Sequence, residues 1–211
     1  MEYYLDASPQ IVEIIKPSHS FTKHFVKKKA FSDKHIKKLE DLVFNNYKFS
    51  KGRVGELLQT KEDLQLSTKR NNRNIAYIEP NSKSKWLYEL LFPIAIEANE
   101  DLFHFDINSV TDLIHYVIYP EDGGHLTWHK DMSEGQTMRR KLAMTVQLSN
   151  PSDYEGGEFQ IWHGGENDFE TITREKGDVI VFPTFYTHRV KPITKGERRS
   201  LVFWTGGRPF R

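Results

Sequence analysis

The stretch Gly177–Trp204, GDVIVFPTFYTHRVKPITKGERRSLVFW, decides how the rest of the chain is read. Runs of β-branched and aromatic residues broken by Gly, Pro and Thr predict three strands, Asp178–Phe182, His188–Pro192 and Arg198–Thr205. Lys195-Gly196 lies between the last two and predicts a tight hairpin, which would make the His188 and Arg198 strands antiparallel neighbours. Alternation along the last strand puts Arg198, Ser200, Val202 and Trp204 on one face and Arg199, Leu201 and Phe203 on the other. A histidine and an arginine delivered into one interior are costly to bury without a task. A metal-bound anion supplies one: imidazole ligates the metal and guanidinium clamps the far carboxylate.

Working backwards, the strand pattern holds from Thr111 onward. Asp112–Tyr119, His125–Lys130, Lys141–Leu148, Glu158–Trp162 and Phe169–Thr173 precede the three strands above, separated by Gly, Pro, Asn and Asp clusters, as in a sandwich or barrel. Glu155-Gly156-Gly157-Glu158 reads as a hairpin connection and Asp178 as turn chemistry. Before Thr111 the periodicity is helical. Ser32 is the expected N-cap of a helix to about Asn46 with Ile36, Leu39, Leu42 and Val43 as its apolar stripe, and a second helix is expected over Ser84–Glu100. Residues 1–30 suggest short strands that start a sheet, with Lys27-Lys28-Lys29 as a solvated patch before the first helix. The polar, glycine-containing stretch Ser50–Asn74 is expected to be a loop or lid. The fold class is therefore mainly β with flanking helices, in a single domain of residues 1–211: N-terminal strands and supporting helices over 1–110, and a β core over 111–211.

Composition narrows the chemistry. The 211 residues carry 30 Lys+Arg against 29 Asp+Glu, so no polycationic face points to nucleic acid. There are no cysteines, which leaves nitrogen and oxygen ligands for any metal. No apolar run is long enough to span a bilayer, and residues 1–16 lack a basic segment followed by an apolar one, so a cytoplasmic protein is expected.

His129 and Asp131, two apart on an extended segment, point the same way and can share one ion while Lys130 points elsewhere. A second imidazole from a late strand, His188, would complete two histidines and a carboxylate on one face of an octahedral metal, with three positions open. His115, His125 and His163 are the rival ligands, each without a carboxylate two residues away on a matching face. Trp128 and Arg139-Arg140 read as core packing and solvated loop, with an entrance-lining role as the alternative.

Tyr119-Pro120 with Gly123-Gly124, His129-x-Asp131, LSNPSDYEGGEFQIW (Leu148–Trp162) and the opening stretch together resemble the Fe(II)- and 2-oxoglutarate-dependent dioxygenases of the prolyl 4-hydroxylase-like group. The resemblance covers about half the chain and implies a double-stranded β-helix (jelly-roll) core. By position it makes His129, Asp131 and His188 the Fe(II) ligands, and Arg198 the residue that binds the 2-oxoglutarate C5 carboxylate. Many collagen-type members place Lys where this chain has Arg198. Arg199 faces away and is the alternative should the strand slip by one residue. Tyr119 matches a tyrosine at the cosubstrate pocket, or is a buried tyrosine satisfied by a backbone carbonyl. Gln147 stands where some relatives carry a tyrosine, and either donates an amide hydrogen bond to the same carboxylate or faces elsewhere.

The reaction implied consumes Fe(II)-bound 2-oxoglutarate and O₂, releases succinate and CO₂, and converts an unactivated C–H to C–OH. A prolyl residue of a peptide or protein, or a small molecule, is the implied substrate. The competing class is a non-catalytic jelly-roll ligand-binding module, and a third is a metal enzyme that dispenses with 2-oxoglutarate. Partners among membranes and nucleic acids are not expected, and the oligomeric state stays open.

Overall fold

The computed structural model describes residues 24–52 and 71–209. Its strands in chain order are β1 (Phe25–Lys27), β2 (Ser50–Lys51), β3 (Asn71–Asn72), β4 (Asn74–Ile78), β5 (Ser109–Val110), β6 (Ile114–Tyr119), β7 (His125–His129) and β8 (Arg140–Gln147). They continue as β9 (Tyr154–Gly156), β10 (Phe159–Trp162), β11 (Phe169–Thr171), β12 (Val179–Pro183), β13 (His188–Val190), β14 (Ile193–Gly196) and β15 (Arg198–Gly206). Among the described residues two α-helices, α1 (Asp33–Asn46) and α2 (Lys85–Ala98), precede the β-rich half, and a π-helical turn, Asn99–Phe103, extends the second.

Among the described residues one sheet has eight strands, with β1, β12, β8, β15, β6, β4 and β2 in order and β5 also on β15; the other runs β11, β10, β13, β7, β3. The two face each other as a jelly roll. Ile75, Val117, Tyr119, Ala143, Phe182 and Trp204 from the first meet Leu126, Phe159, Ile161 and Val190 from the second. The back of the large sheet is covered by the helices, where Leu39, Val43, Leu87 and Leu91 pack on Tyr116, Met144, Leu201 and Phe203. Helix and strand periodicity thus serve two cores: one supports the large sheet, and the other encloses the space between sheets.

The first helix forms where its stripe predicts. Ser32 Oγ accepts the His35 amide and the His35 ring reaches back to the Ser32 amide, while Ile36, Leu39, Leu42 and Val43 are buried. Residues 53–70, most of the expected lid, lie outside the described residues, as do 1–23 of the expected N-terminal strands. The lid's flanks are not loop: Ser50–Lys51 pairs with β4, and Asn71–Asn72 pairs with β7. Backbone hydrogen bonding from neighbouring strands overrode a polar composition.

The expected hairpin between the His188 and Arg198 strands does not form. β13 pairs with β10 and β7 in the small sheet, whereas β15 pairs with β6, β8 and β5 in the large one. Lys195-Gly196 instead ends β14, which pairs with β9. Glu155-Gly156-Gly157 is likewise more than a hairpin connection. Gly156, at φ +77°, has room for no side chain, since a Cβ there would lie 2.2 Å from the Pro192 carbonyl oxygen. This small second ribbon lets the chain cross from one sheet to the other between His188 and Arg198.

Asp178 is also more than turn chemistry. It is fully buried and accepts from Thr173 Oγ1 (2.7 Å), the Lys29 amide (2.8 Å) and Lys28 Nζ (3.0 Å). The lysine run is accordingly not a purely solvated patch, for Lys28 ties β1 to this carboxylate and Lys27 pairs with Glu97. Burial pushes the Asp178 carboxyl up, but the Thr173, Lys29 and Lys28 donors outweigh it and leave it below the usual carboxylate range. A carboxyl lowered on folding contributes stability above its unfolded pKa and loses it as pH falls through the folded value. Asp178→Asn is therefore expected to cost about 1–3 kcal/mol near neutrality. The gap from the parent protein should narrow below about pH 4, as read by denaturant unfolding across pH. Among the described residues no helix is long and apolar enough to cross a membrane.

Candidate metal centre

His129 ends β7, His188 begins β13, and the two are register partners across that pair of strands. Asp131 follows two residues after His129 and is held from the other side, because its amide donates to the Thr184 carbonyl at 3.0 Å. His129 Nε2 lies 3.4 Å from Asp131 Oδ1 and His188 Nε2 lies 3.6 Å from Oδ2. One ligand atom from each residue falls within 4.8 Å of the others, a group that can hold one cation.

The ring orientation is fixed from behind. His129 Nδ1 faces the Thr127 carbonyl at 2.8 Å and His188 Nδ1 faces that of Tyr186 at 3.0 Å. A carbonyl partner requires Nδ1–H, which leaves the Nε2 lone pair aimed inward. Burial, reinforced by the neighbouring His129, lowers His188 to about 4, and Asp131 only partly offsets this, so the imidazole is neutral at pH 7. Burial raises Asp131, but the adjacent histidines and the Trp204 indole outweigh it, and the carboxyl sits well below its usual range. Two imidazole nitrogens and a carboxylate brought this close form a donor set that a single cation can join.

Two further side chains support Asp131 that the sequence reading did not assign to the centre. Trp204 donates Nε1–H to Oδ2 at 3.0 Å, and Arg140 donates to the Asp131 backbone carbonyl at 2.8 Å. Arg140 is therefore not part of a solvated loop: its guanidinium carbon lies 4.5 Å from the Trp204 ring and its Nε bonds Asp112 at 2.8 Å. The signal for Trp204 was legible, since alternation already placed it on the Arg198 face. Little local marked Arg140, whose side-chain partners Asp112 and Trp204 are 28 and 64 residues away in sequence.

Arg198 reaches the same interior from the large sheet. It is 1% exposed, its Nη2 donates to Gln147 Oε1 at 2.9 Å, and its Nε and Nη1 are buried with no hydrogen-bond partner among the described residues. Tyr119, 2% exposed and opposite Arg198 in the β6–β15 register, lies with its ring 5.1 Å from the guanidinium. Gln147 faces inward, but its amide donates to the Thr173 carbonyl at 3.0 Å, so both ends of that amide are engaged. A buried cation with two unpartnered donors suits a planar anion such as a carboxylate. Arg199 turns outward to Glu40 and Glu197, as alternation predicted.

The rival histidines stand elsewhere. His125 Nδ1 faces the Gly123 carbonyl, His163 lies beside Glu170, and the His115 ring packs edge-on against Trp204 and Tyr77. Trp128 is half-buried beneath Arg189. A groove of about 1130 Å³ between α2 and residues 108–113 lies on the helix side and shares no residue with the centre.

Residues 114–206 match the family model described as the 2OG-Fe(II) oxygenase superfamily. A PKHD-type hydroxylase of Psychrobacter sp. (strain PRwf-1) is 41% identical over 69 residues, 33% of this chain and 26% of that protein. One from Idiomarina loihiensis is 35% identical over 85 residues, 40% of this chain and 38% of the relative. The chain thus spans well under half the length of these curated relatives. A prolyl hydroxylase of Trichoplax adhaerens, solved with a hypoxia inducible factor peptide fragment, superposes with TM-score 0.68 at 16% identity, covering 87% of this chain and 83% of that one. A Pseudomonas putida prolyl-4-hydroxylase gives 0.63 at 15% identity, covering 88% and 93%.

Proposed function

We propose that this chain, whose residues 114–206 match the 2OG-Fe(II) oxygenase superfamily, is a dioxygenase that hydroxylates an unactivated C–H, with a prolyl residue of a peptide or protein as the leading substrate. The family implies Fe(II), 2-oxoglutarate and O₂. In this reading His129, Asp131 and His188 hold the iron, and Arg198, propped by Gln147 and Tyr119, binds the far carboxylate of 2-oxoglutarate. When bound, the metal would activate O₂, the oxidant, with two electrons drawn from 2-oxoglutarate, so that R–H, O₂ and 2-oxoglutarate give R–OH, succinate and CO₂.

The observation that carries the reading is the pairing of a convergent His-Asp-His group with a buried guanidinium that lacks partners for two of its nitrogens. A ligand-binding jelly roll has no use for both. The chain's own contribution is to keep the imidazole lone pairs directed inward, to present a charged clamp at the far end, and to exclude water around both. The prolyl assignment draws on the PKHD-type and prolyl hydroxylase relatives.

Fe(II) and 2-oxoglutarate added anaerobically should produce the visible charge-transfer band of the chelate. Aeration with a peptide panel should then add one oxygen to a prolyl peptide, detected by mass spectrometry and dependent on 2-oxoglutarate. Folded protein without the band would instead be a non-catalytic binding module. Trp204→Phe keeps the ring but removes the donor to Asp131, and is expected to weaken metal binding about 10-fold or more. Titration with Fe(II), followed through that band, measures the loss.

A further inference from the structure

The connection between the two sheets carries a cation that the proposed reaction does not use. Arg73 lies where the chain leaves β3, in the small sheet, and enters β4, in the large one. The β4–β6 register sets Asn74 opposite Ile118, Ile75 opposite Val117 and Tyr77 opposite His115. Ile75 and Val117 are both buried in the cluster between the sheets. The Tyr77 ring lies 4.7 Å from that of His115, which lies 4.8 Å from Trp204, the residue bonded to Asp131. Arg73, Ile75 and Tyr77 alternate with Asn74 and Ala76, so Arg73 shares the face that leads to the metal centre.

Its Nε is buried with no hydrogen-bond partner, and among the described residues no carboxylate pairs with it. Gly52 lies flat against it, for a Cβ there would meet Arg73 Cγ at 2.7 Å and Nε at 2.8 Å. Burial chiefly lowers His115, whose ring packs edge-on against Trp204, and the Arg73 charge adds to that lowering. The nearby carboxylates are committed: Asp112 to Arg140, and Asp131 to the histidines and Trp204.

A charge count gives the consequence. With both ligand histidines neutral, Fe(II) carries two positive charges, Asp131 one negative, 2-oxoglutarate two negative and Arg198 one positive, which sums to zero. Arg73 is then one positive charge left over, with its Nε buried, an arrangement that favours an incoming anion.

Resting on the oxygenase reading above, we propose that Arg73 receives a carboxylate of the substrate, so that the carbon hydroxylated lies beside an acidic group. That group is either the side chain of an acidic residue next to the target in a peptide or the α-carboxylate of a free amino or imino acid. Both sources present the same planar anion to the same fork.

The test uses two matched probe pairs: capped tetrapeptides differing only by glutamate or glutamine beside proline, in both orders, and L-proline against L-prolinamide. Affinities for Zn(II)- and 2-oxoglutarate-loaded protein are read by saturation-transfer NMR, alongside probe-dependent succinate release with Fe(II). The charged member of at least one pair is expected to bind about 10-fold or more tightly, and which pair discriminates tells peptide from free acid. Arg73→Gln should erase the preference and Arg73→Lys should restore much of it, with near-UV circular dichroism unchanged in both. Wild-type protein that shows no preference in either pair overturns the proposal. So does an Arg73→Gln variant whose chief loss is affinity for 2-oxoglutarate, since the residue would then serve the cosubstrate. A missing iron chelate band in wild type counts against the oxygenase reading instead, because the NMR comparison needs no turnover.

Discussion

His188→Ala is expected to abolish the Fe(II)·2-oxoglutarate charge-transfer band and to lower 2-oxoglutarate-dependent succinate release at least about 100-fold. His188 is 4% exposed, opposite His129 in register, and its Nε2 is directed inward by the Tyr186 carbonyl behind it. Alanine removes one of the three donors and leaves His129 and Asp131 to hold the ion alone. Loss of fold is a separable outcome. The ring packs on Phe182 (4.7 Å between centroids) and Phe159 (5.6 Å), so its removal leaves a void costing about 1–3 kcal/mol. The variant should remain folded by circular dichroism while failing to bind metal. His163→Ala and His125→Ala serve as controls that keep the band, because neither ring joins the convergent group. A His188→Ala protein that retained the full band would remove the proposed ligand set.

Arg198→Ala is expected to raise the 2-oxoglutarate requirement about 100-fold or more, with a smaller rise for Arg198→Lys. The lysine variant keeps the charge but replaces a planar fork by a point donor. The clearest readout is thermal and needs no turnover. In the metal-loaded parent protein, 2-oxoglutarate at about 100 times its dissociation constant should stabilise by about 2.7 kcal/mol, which for a chain of this size raises Tm by roughly 5–10 °C. In Arg198→Ala that rise should vanish at the same concentration. Without ligand the alanine variant should change stability little, because relief of a buried charge with two unpartnered nitrogens opposes the void and the lost Gln147 hydrogen bond. A buried charge without a counter-ion is a liability to the ligand-free fold. A large loss of ligand-free stability in Arg198→Ala would show that the residue is structural instead.

Much of the centre was legible in the chain because it rests on local rules. The two-residue alternation of a strand put His129 and Asp131 on one side and set Arg198 apart from Arg199. The stripe of Ile36, Leu39, Leu42 and Val43 behind Ser32 described α1 residue by residue. What failed was partner choice. The Lys195-Gly196 turn signal suggested that the His188 and Arg198 strands were neighbours, yet they belong to opposite sheets and meet only across the enclosed space. Arg140 read as solvated because its sequence neighbours are polar, while its actual surroundings, Asp112, Trp204 and the Asp131 carbonyl, arrive from three other segments. Arg73 was hidden within a stretch whose composition resembles a loop, although its alternation with Ile75 and Tyr77 was present.

The sequence by itself determined which residues form strands and helices, which face each side chain takes, and which residue types are available to bind a metal and an anion. Those properties follow from backbone periodicity and side-chain chemistry within a few residues. Only the tertiary structure decided that His188 and Arg198 lie on opposite sheets, that Trp204 braces Asp131, and that among the described residues Arg73 Nε is buried without a hydrogen-bond partner. Strand pairing is set by hydrogen bonds and burial between segments distant along the chain, and alternation specifies a face without specifying what that face will meet.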